Sequence, residues 1–185
     1  MSTATENLNV GSWKMVPEQR VDRQYVRNFA FQHDKGFYLS MSLGPQWNQA
    51  IQNPSASGLR FGGQFGIGFV PIRNLAVHAN FWGNFLEQAS LLAIGPGVTF
   101  FLGDSNVALG AALGIGSVFG EAPNNKTFRE TVLTMELSAG KYWWLSRSNS
   151  LGVSFVIGLY GLTLSQGSFN SVGWNTGLRL AYVFN

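Results

Sequence analysis

Two histidines, His33 and His78, are the only imidazoles in a chain of 185 residues that contains no cysteine. General-base or metal chemistry would have to be built on one of them. A metal site needs a cluster of His, Cys, Asp or Glu ligands. Neither histidine has that company along the chain: His33 precedes Asp34 alone, and His78 sits in His78-Ala79-Asn80. The absence of cysteine excludes a thiolate nucleophile and any disulfide. The run Gly110-x-x-x-Gly114-x-Gly116 has the glycines of a phosphate loop, but no Lys-Ser or Lys-Thr follows it. These residues predict no catalytic group, no metal and no cofactor. The ionisable residues that remain of interest are Arg60, His78, Glu130, Glu136 and Arg179, all but Glu130 flanked by apolar or small residues. A charge in such a setting must be paired or hydrated. What they do therefore depends on the elements that carry them.

The chain divides by charge. Residues 1–35 hold five of the 12 Lys and Arg and four of the 9 Asp and Glu; residues 36–185 carry the rest. Charged residues make up 11% of the whole, against about 25% in ordinary soluble proteins. Aromatics reach 14%, glycines number 23, and mean hydropathy is only +0.07. No apolar run is long enough to span a bilayer as a helix. Low charge, abundant aromatics and glycine, and modest hydropathy fit a sheet that is apolar on one face and thin or polar on the other. The net charge of +3 is scattered and forms no basic stripe, so no nucleic-acid partner is expected.

Eight apolar stretches follow the charge break and predict strands over 37–47, 59–70, 75–86, 91–102, 107–119, 128–145, 151–164 and 169–184. Each is long enough to cross a bilayer at a tilt. Tight turns are expected at Pro71–Asn74, Gly103–Asn106 and Ser146–Ser150, built from turn-forming residues. The other connections, at 48–58, 87–90, 120–127 and 165–168, alternate with them and together make the longer side. Alternation assigns the faces. Leu59, Phe61, Phe65, Ile67 and Phe69 share one face of the second strand, with Arg60, Gly62, Gln64, Gly66 and Gly68 on the other. The third, fifth and seventh strands repeat the pattern. A water-soluble barrel would put bulk inside; here bulk belongs outside. The expected fold is all-β, an eight-stranded antiparallel transmembrane barrel with an N-terminal extension.

Within that barrel Arg60, Glu130, Glu136 and Arg179 point inward, as does His78. They are candidates for a lumen charge network, with pairings unassigned because strand stagger is not readable. One wall is thin: Gly95, Gly97, Gly110, Gly114 and Gly116 face the lumen beside Ala93, Ala108 and Ala112. Large residues opposite, Tyr38, Trp82, Tyr142 and Tyr160, either lean across, or a ligand such as a lipid fills the space. Pro45 and Pro96 fall on outward positions, where each removes a ladder donor. Residues 16–29, with Val21, Tyr25 and Phe29 at i+4 spacing and Arg20, Arg23 and Arg27 beside them, read as a short basic amphipathic helix. That segment would lie on the membrane, form a tail or plug the lumen.

Residues 36–185 resemble the small eight-stranded outer-membrane barrels, the group of outer-membrane proteins A, X and W. The resemblance rests on the opening Gly36-Phe-Tyr-Leu-Ser-Met-Ser-Leu-Gly44, the alternating Arg60-Phe-Gly-Gly-Gln-Phe-Gly-Ile-Gly68, and the closing strand. It implies an assembly signal at Asn175, Gly177, Leu180, Tyr182 and Phe184, read by the barrel assembly machinery. Family members usually end on the aromatic, where this chain adds Asn185. It also implies a bacterial outer-membrane location among outer-membrane lipids. The polar start Met1–Val10 shows no export signal, so the signal is taken as already removed. The implied role is non-enzymatic and structural for the envelope. The alternatives are a narrow channel or a hydrophobic-ligand barrel, and a lipid-modifying enzyme. The last would need His33 or His78, yet His78-Ala79-Asn80 lacks the hydroxyl two residues on that a deacylase-type site uses.

Overall fold

The computed structural model describes residues 35–51, 57–85, 89–102, 105–121, 127–146, 148–163 and 172–185. The N-terminal extension, with His33 and the predicted helix at 16–29, lies outside these residues. The described chain forms eight strands: β1 (Gly36–Ala50), β2 (Gly58–Ile72), β3 (Leu75–Phe85), β4 (Ala89–Leu102), β5 (Val107–Glu121), β6 (Thr127–Trp144), β7 (Asn149–Thr163) and β8 (Gly173–Phe184). Each pairs antiparallel with its neighbour in sequence, and β8 closes on β1. Closure leaves no sheet edge, the requirement for strands whose backbone must be hydrogen-bonded without water.

The register sets the width. Following partners from Tyr38 through Gly68, His78, Gly97, Ala112, Glu136, Gly158 and Asn175 returns to β1 at Asn48, ten residues beyond the start. With strands about 4.8 Å apart and about 3.3 Å of rise per residue, that stagger gives a tilt of about 40° and a radius of about 8 Å. A cylinder of this size is just wide enough for side chains to fill.

The faces follow the alternation. Leu59, Phe61, Phe65, Ile67 and Phe69 are exposed on the outside of β2, and Leu109, Leu113 and Ile115 on β5. His78, Asn80, Trp82 and Asn84 are buried inside β3. Aromatic side chains stand outward near both ends: Phe37, Phe69, Phe100 and Trp143 at the tight-turn end, Trp47, Phe61 and Phe85 at the other. Water-soluble monomers rarely expose so continuous an apolar surface. A charge at mid-height should therefore be costly. Leu113→Lys is expected to destabilise the folded barrel by about 2–4 kcal/mol, and Leu59→Lys near a strand end by less than about 1 kcal/mol. Urea titration of the two variants refolded in lipid measures the difference.

Element boundaries depart from expectation at the turns. β2 continues through Pro71 and Ile72, so only Arg73 and Asn74 make the first tight turn. The ladder absorbs the extra length with a register shift between Phe69 and Ile72. Asn149 and Ser150 belong to β7 rather than to a turn, because Leu145 N–H donates to Asn149 O and prolongs the hairpin. Asn74 and Asn106 take the left-handed conformation, φ 69 and 55, which asparagine tolerates better than most residues. At the far end the strands extend into the expected connections. β1 reaches Ala50, β2 starts at Gly58, β4 includes Ala89 and β5 runs to Glu121. β8 begins at Gly173 and not at 169: Val172 is outside the strand, though its carbonyl still accepts from Ile51 N–H.

The two outward prolines mark two seams. Between β1 and β8 the pairing passes from Leu43–Leu180 to Gln46–Gly177, skipping Gly44 and Pro45 without a change of register. Between β4 and β5 it passes from Ile94–Ile115 to Gly97–Ala112, skipping Gly95 and Pro96. On their other sides both prolines stay paired, Pro45 with Phe61 and Pro96 with Ala79. Each proline thus turns its missing N–H toward the seam. A Cβ on Gly44 would overlap Leu178 O, and one on Gly95 would overlap Leu113 O. The glycine before each proline lets the neighbouring carbonyl come close.

Candidate functional site

The lumen is where this sequence departs most from plain apolar packing. Arg179, inward on β8, is only 1% exposed. Its Nη1 and Nη2 donate to Glu136 Oε1 at 2.8 Å and Oε2 at 2.7 Å, a bidentate pair across the barrel from β6. Nη1 also donates to Gln64 Oε1 at 3.4 Å, and Gln64 Nε2 donates to Asn80 Oδ1 at 2.9 Å. The Gln46 amide satisfies its neighbours with its oxygen toward Arg179. It then accepts from Nη2 at 3.0 Å and Nε at 3.2 Å and donates to Asn175 Oδ1 at 3.1 Å. The guanidinium is thereby ringed by acceptors from β1, β2 and β6. Only such dense pairing makes a buried charge tolerable.

Apolar layers lie on either side of this polar layer. Toward the tight turns, Tyr38, Val70, Ala76, Phe101, Ala108 and Val183 form one buried cluster, with Tyr142 packed against it. Toward the longer connections, Leu91, Val118, Val132 and Tyr160 form another. Tyr160 OH donates to Asn48 Oδ1 at 3.2 Å, which ties that layer to β1. The thin wall is met by side chains of nearby strands. Trp82 packs with Ala93 and Ala112, and its Cη2 stands 2.6 Å from where a Gly114 Cβ would be. The His78 ring covers Gly97 in the same way, with Cε1 2.6 Å from the Cβ position. The glycines leave room that large neighbours occupy.

Of the five expected network members, the structure joins Arg179 and Glu136. His78 is buried but stands apart from the ion pair. Its Nε2 lies 3.0 Å from Thr99 Oγ1, its ring stacks on Tyr38 at 5.1 Å, and Tyr38 OH donates to Thr99 at 3.5 Å. Glu130 is buried and Arg60 half-buried, both nearer the longer-connection ends of β6 and β2. Gln46, Gln64, Asn80 and Asn175 complete the ring around Arg179 although none carries a charge. Their inward parity was the only signal for them. On β8, Asn175 and Gly177 face inward while Leu180 and Phe184 stand outward. Among the described residues no group of three or more His, Asp or Glu could hold a metal ion.

No protein-family profile matches the chain, and no curated protein sequence does. Among solved structures the barrel is similar to Neisserial surface protein A, with a TM-score of 0.64 and 14% identity over 82% of this chain and 99% of that one. Ail, the attachment invasion locus protein of Yersinia pestis, solved with the heparin analogue sucrose octasulfate, follows at 0.47 and 15% identity over 80% and 99%. The N-terminal β-barrel domain of Pseudomonas aeruginosa OprF gives 0.47 and 11% over 82% and 100%. At such identities the likeness is one of fold: a closed, eight-stranded antiparallel barrel of the small outer-membrane type.

Proposed function

We propose that this chain, a barrel of the small outer-membrane type, is a non-enzymatic membrane protein of the bacterial outer membrane. Its role is structural for the envelope, and its lumen carries no solute. The observation behind this reading is the layered interior: the Arg179–Glu136 layer lies between two buried apolar clusters. An ion entering from either end would have to shed its hydration against Phe101 and Tyr38, or against Leu91 and Val132. The apolar exterior supports residence among outer-membrane lipids. The closing residues Asn175, Gly177, Leu180, Tyr182 and Phe184 are proposed as the signal for the assembly machinery.

Planar-bilayer recording of the refolded full chain tests this directly. Electrical silence at physiological salt is expected. Steady unitary current would make the protein a channel and remove the sealed-lumen reading. A lipid that stays bound through delipidation and is lost on Gly114→Phe would favour a ligand barrel instead.

A further inference from the structure

At the longer-connection end the outward residues of β5 and β6 interrupt the aromatic rim. Trp47, Phe61 and Phe85 stand outward there on β1, β2 and β3. On β5 and β6 the outer surface instead carries the pair Ser117–Thr131, followed by Arg129 opposite Phe119. Arg129 is exposed, and its Nε donates to Ser117 Oγ at 3.0 Å. Ser117 lies two residues along β5 from Phe119, on the side of the apolar band. With the tilt given above, the line from Arg129 to Ser117 runs nearly parallel to the barrel axis and drops about 8 Å toward that band. It ends about level with Phe85. An arginine at the edge of an apolar zone ordinarily extends away from it, to keep its head in water. Arg129 does the opposite and lays its guanidinium down onto the rim. Nη1 and Nη2 have no hydrogen bond or ion pair among the described residues. Of the neighbouring carboxylates, Glu130 is buried in the lumen, and Glu121 pairs with Thr127 two residues farther from the band than Phe119.

We propose that Arg129, Ser117 and Thr131 form a binding site for the phosphate of an anionic lipid headgroup, in the leaflet at the longer-connection end. A guanidinium offers paired N–H donors that match phosphate oxygens. Ser117 Oγ accepts from Nε and keeps its own proton to donate, and the Thr131 hydroxyl is the next donor on the same rung. The depth selects a lipid over a dissolved phosphate. The site opens sideways, at the height where headgroups meet acyl chains. Directly beneath it the outward pair Ile115–Leu133 gives those chains an apolar surface. A guanidinium held at this height without an anion would lose hydration for no return. The site rests on the reading of the exterior as lipid-facing, and it assigns one headgroup chemistry to one place on that exterior.

Native mass spectrometry of the refolded full chain, in micelles doped with equal phosphatidic acid and phosphatidylcholine, tests the site. Preferential retention of phosphatidic acid is expected. Arg129→Gln should weaken its binding about tenfold, the effect of losing a charge-assisted pair. Ser117→Ala should weaken it several-fold although no charge changes, because the guanidinium is then released toward water. Equal retention of the two lipids by the parent would overturn the site. So would parental affinity in Ser117→Ala, since an effect of Arg129→Gln alone is plain charge attraction. Should either variant fail to refold, solid-state NMR of the unaltered protein in bilayers containing phosphatidic acid decides. Dephasing of the Arg129 guanidinium nitrogens by lipid phosphorus is expected, and its absence would overturn the proposal. A parent chain that enters neither micelles nor bilayers would remove the membrane reading together with the site; insertion without the preference removes only the site.

Discussion

Removal of the Glu136 carboxylate is expected to destabilise the barrel by about 3–5 kcal/mol, among the largest effects any single side chain here can have. Glu136→Ala leaves Arg179 buried at 1% exposure with its two shortest bonds, 2.7 and 2.8 Å, both gone. Gln46 and Gln64 still accept from the guanidinium, but neither neutralises it. Reaching solvent would require the side chain to displace one of the two apolar layers. The converse variant, Arg179→Ala, strands a carboxylate in the same layer and should cost as much. Removing both charges together, Glu136→Leu with Arg179→Met, should recover most of the loss, because an apolar pair avoids the desolvation that the ion pair must offset. Urea titration of the refolded proteins, followed by tryptophan fluorescence, gives all three values. If the double variant is as unstable as either single one, the pair contributes more than mutual neutralisation. If Glu136→Ala is neutral, the arginine has found another partner and the described network is not the one that matters.

Gly95→Ala should be more damaging still, although it adds one carbon. The new Cβ would overlap Leu113 O and stand 2.5 Å from Gly114 Cα, both of them backbone atoms of the opposing strand. No rotamer change relieves that. The β4–β5 seam must part at the place where Pro96 already leaves Leu113 O without a ladder donor. The expected result is a chain that does not reach the closed, heat-modifiable form on refolding into lipid. Gly36→Ala serves as the contrast, since nothing lies within 4 Å of the position its Cβ would take. That variant should refold as the parent does. Gel-shift assays after refolding compare the two. Normal folding of Gly95→Ala would show that the seam is looser than its backbone distances imply.

The architecture was legible because period-2 alternation is a local property. Leu151, Val153, Phe155, Ile157 and Leu159 face out, and Ser154, Val156 and Tyr160 in, whatever the rest of the chain does. Turn residues then separated the strands to within a few positions. The ion pair was not legible. Arg179 and Glu136 are 43 residues apart on strands that do not pair with each other. Their meeting depends on the ten-residue stagger, which no local pattern encodes. The same stagger sets His78 against Thr99 and Tyr38 instead of against a carboxylate. Neutral partners were harder still: Gln46 and Gln64 differ from any other inward polar residue only by their height in the barrel. Pro45 and Pro96 were visible as anomalies, but their tolerance depends on where the carbonyls of the facing strand fall, Leu178 on β8, reached only through closure, and Leu113 on β5.

Those two prolines also bear on how the cylinder yields under load. The β1–β8 and β4–β5 seams lie on opposite sides of an eight-stranded ring, so they divide it into two four-stranded shells, β1–β4 and β5–β8. A tube with two soft generatrices facing each other is not equally stiff in every direction. It flattens more readily along one diameter than along the diameter at right angles. Lateral pressure from the surrounding bilayer, the same from all sides, would then be answered by a slightly oval cross-section of fixed orientation, set by where two glycine–proline pairs fall in the sequence.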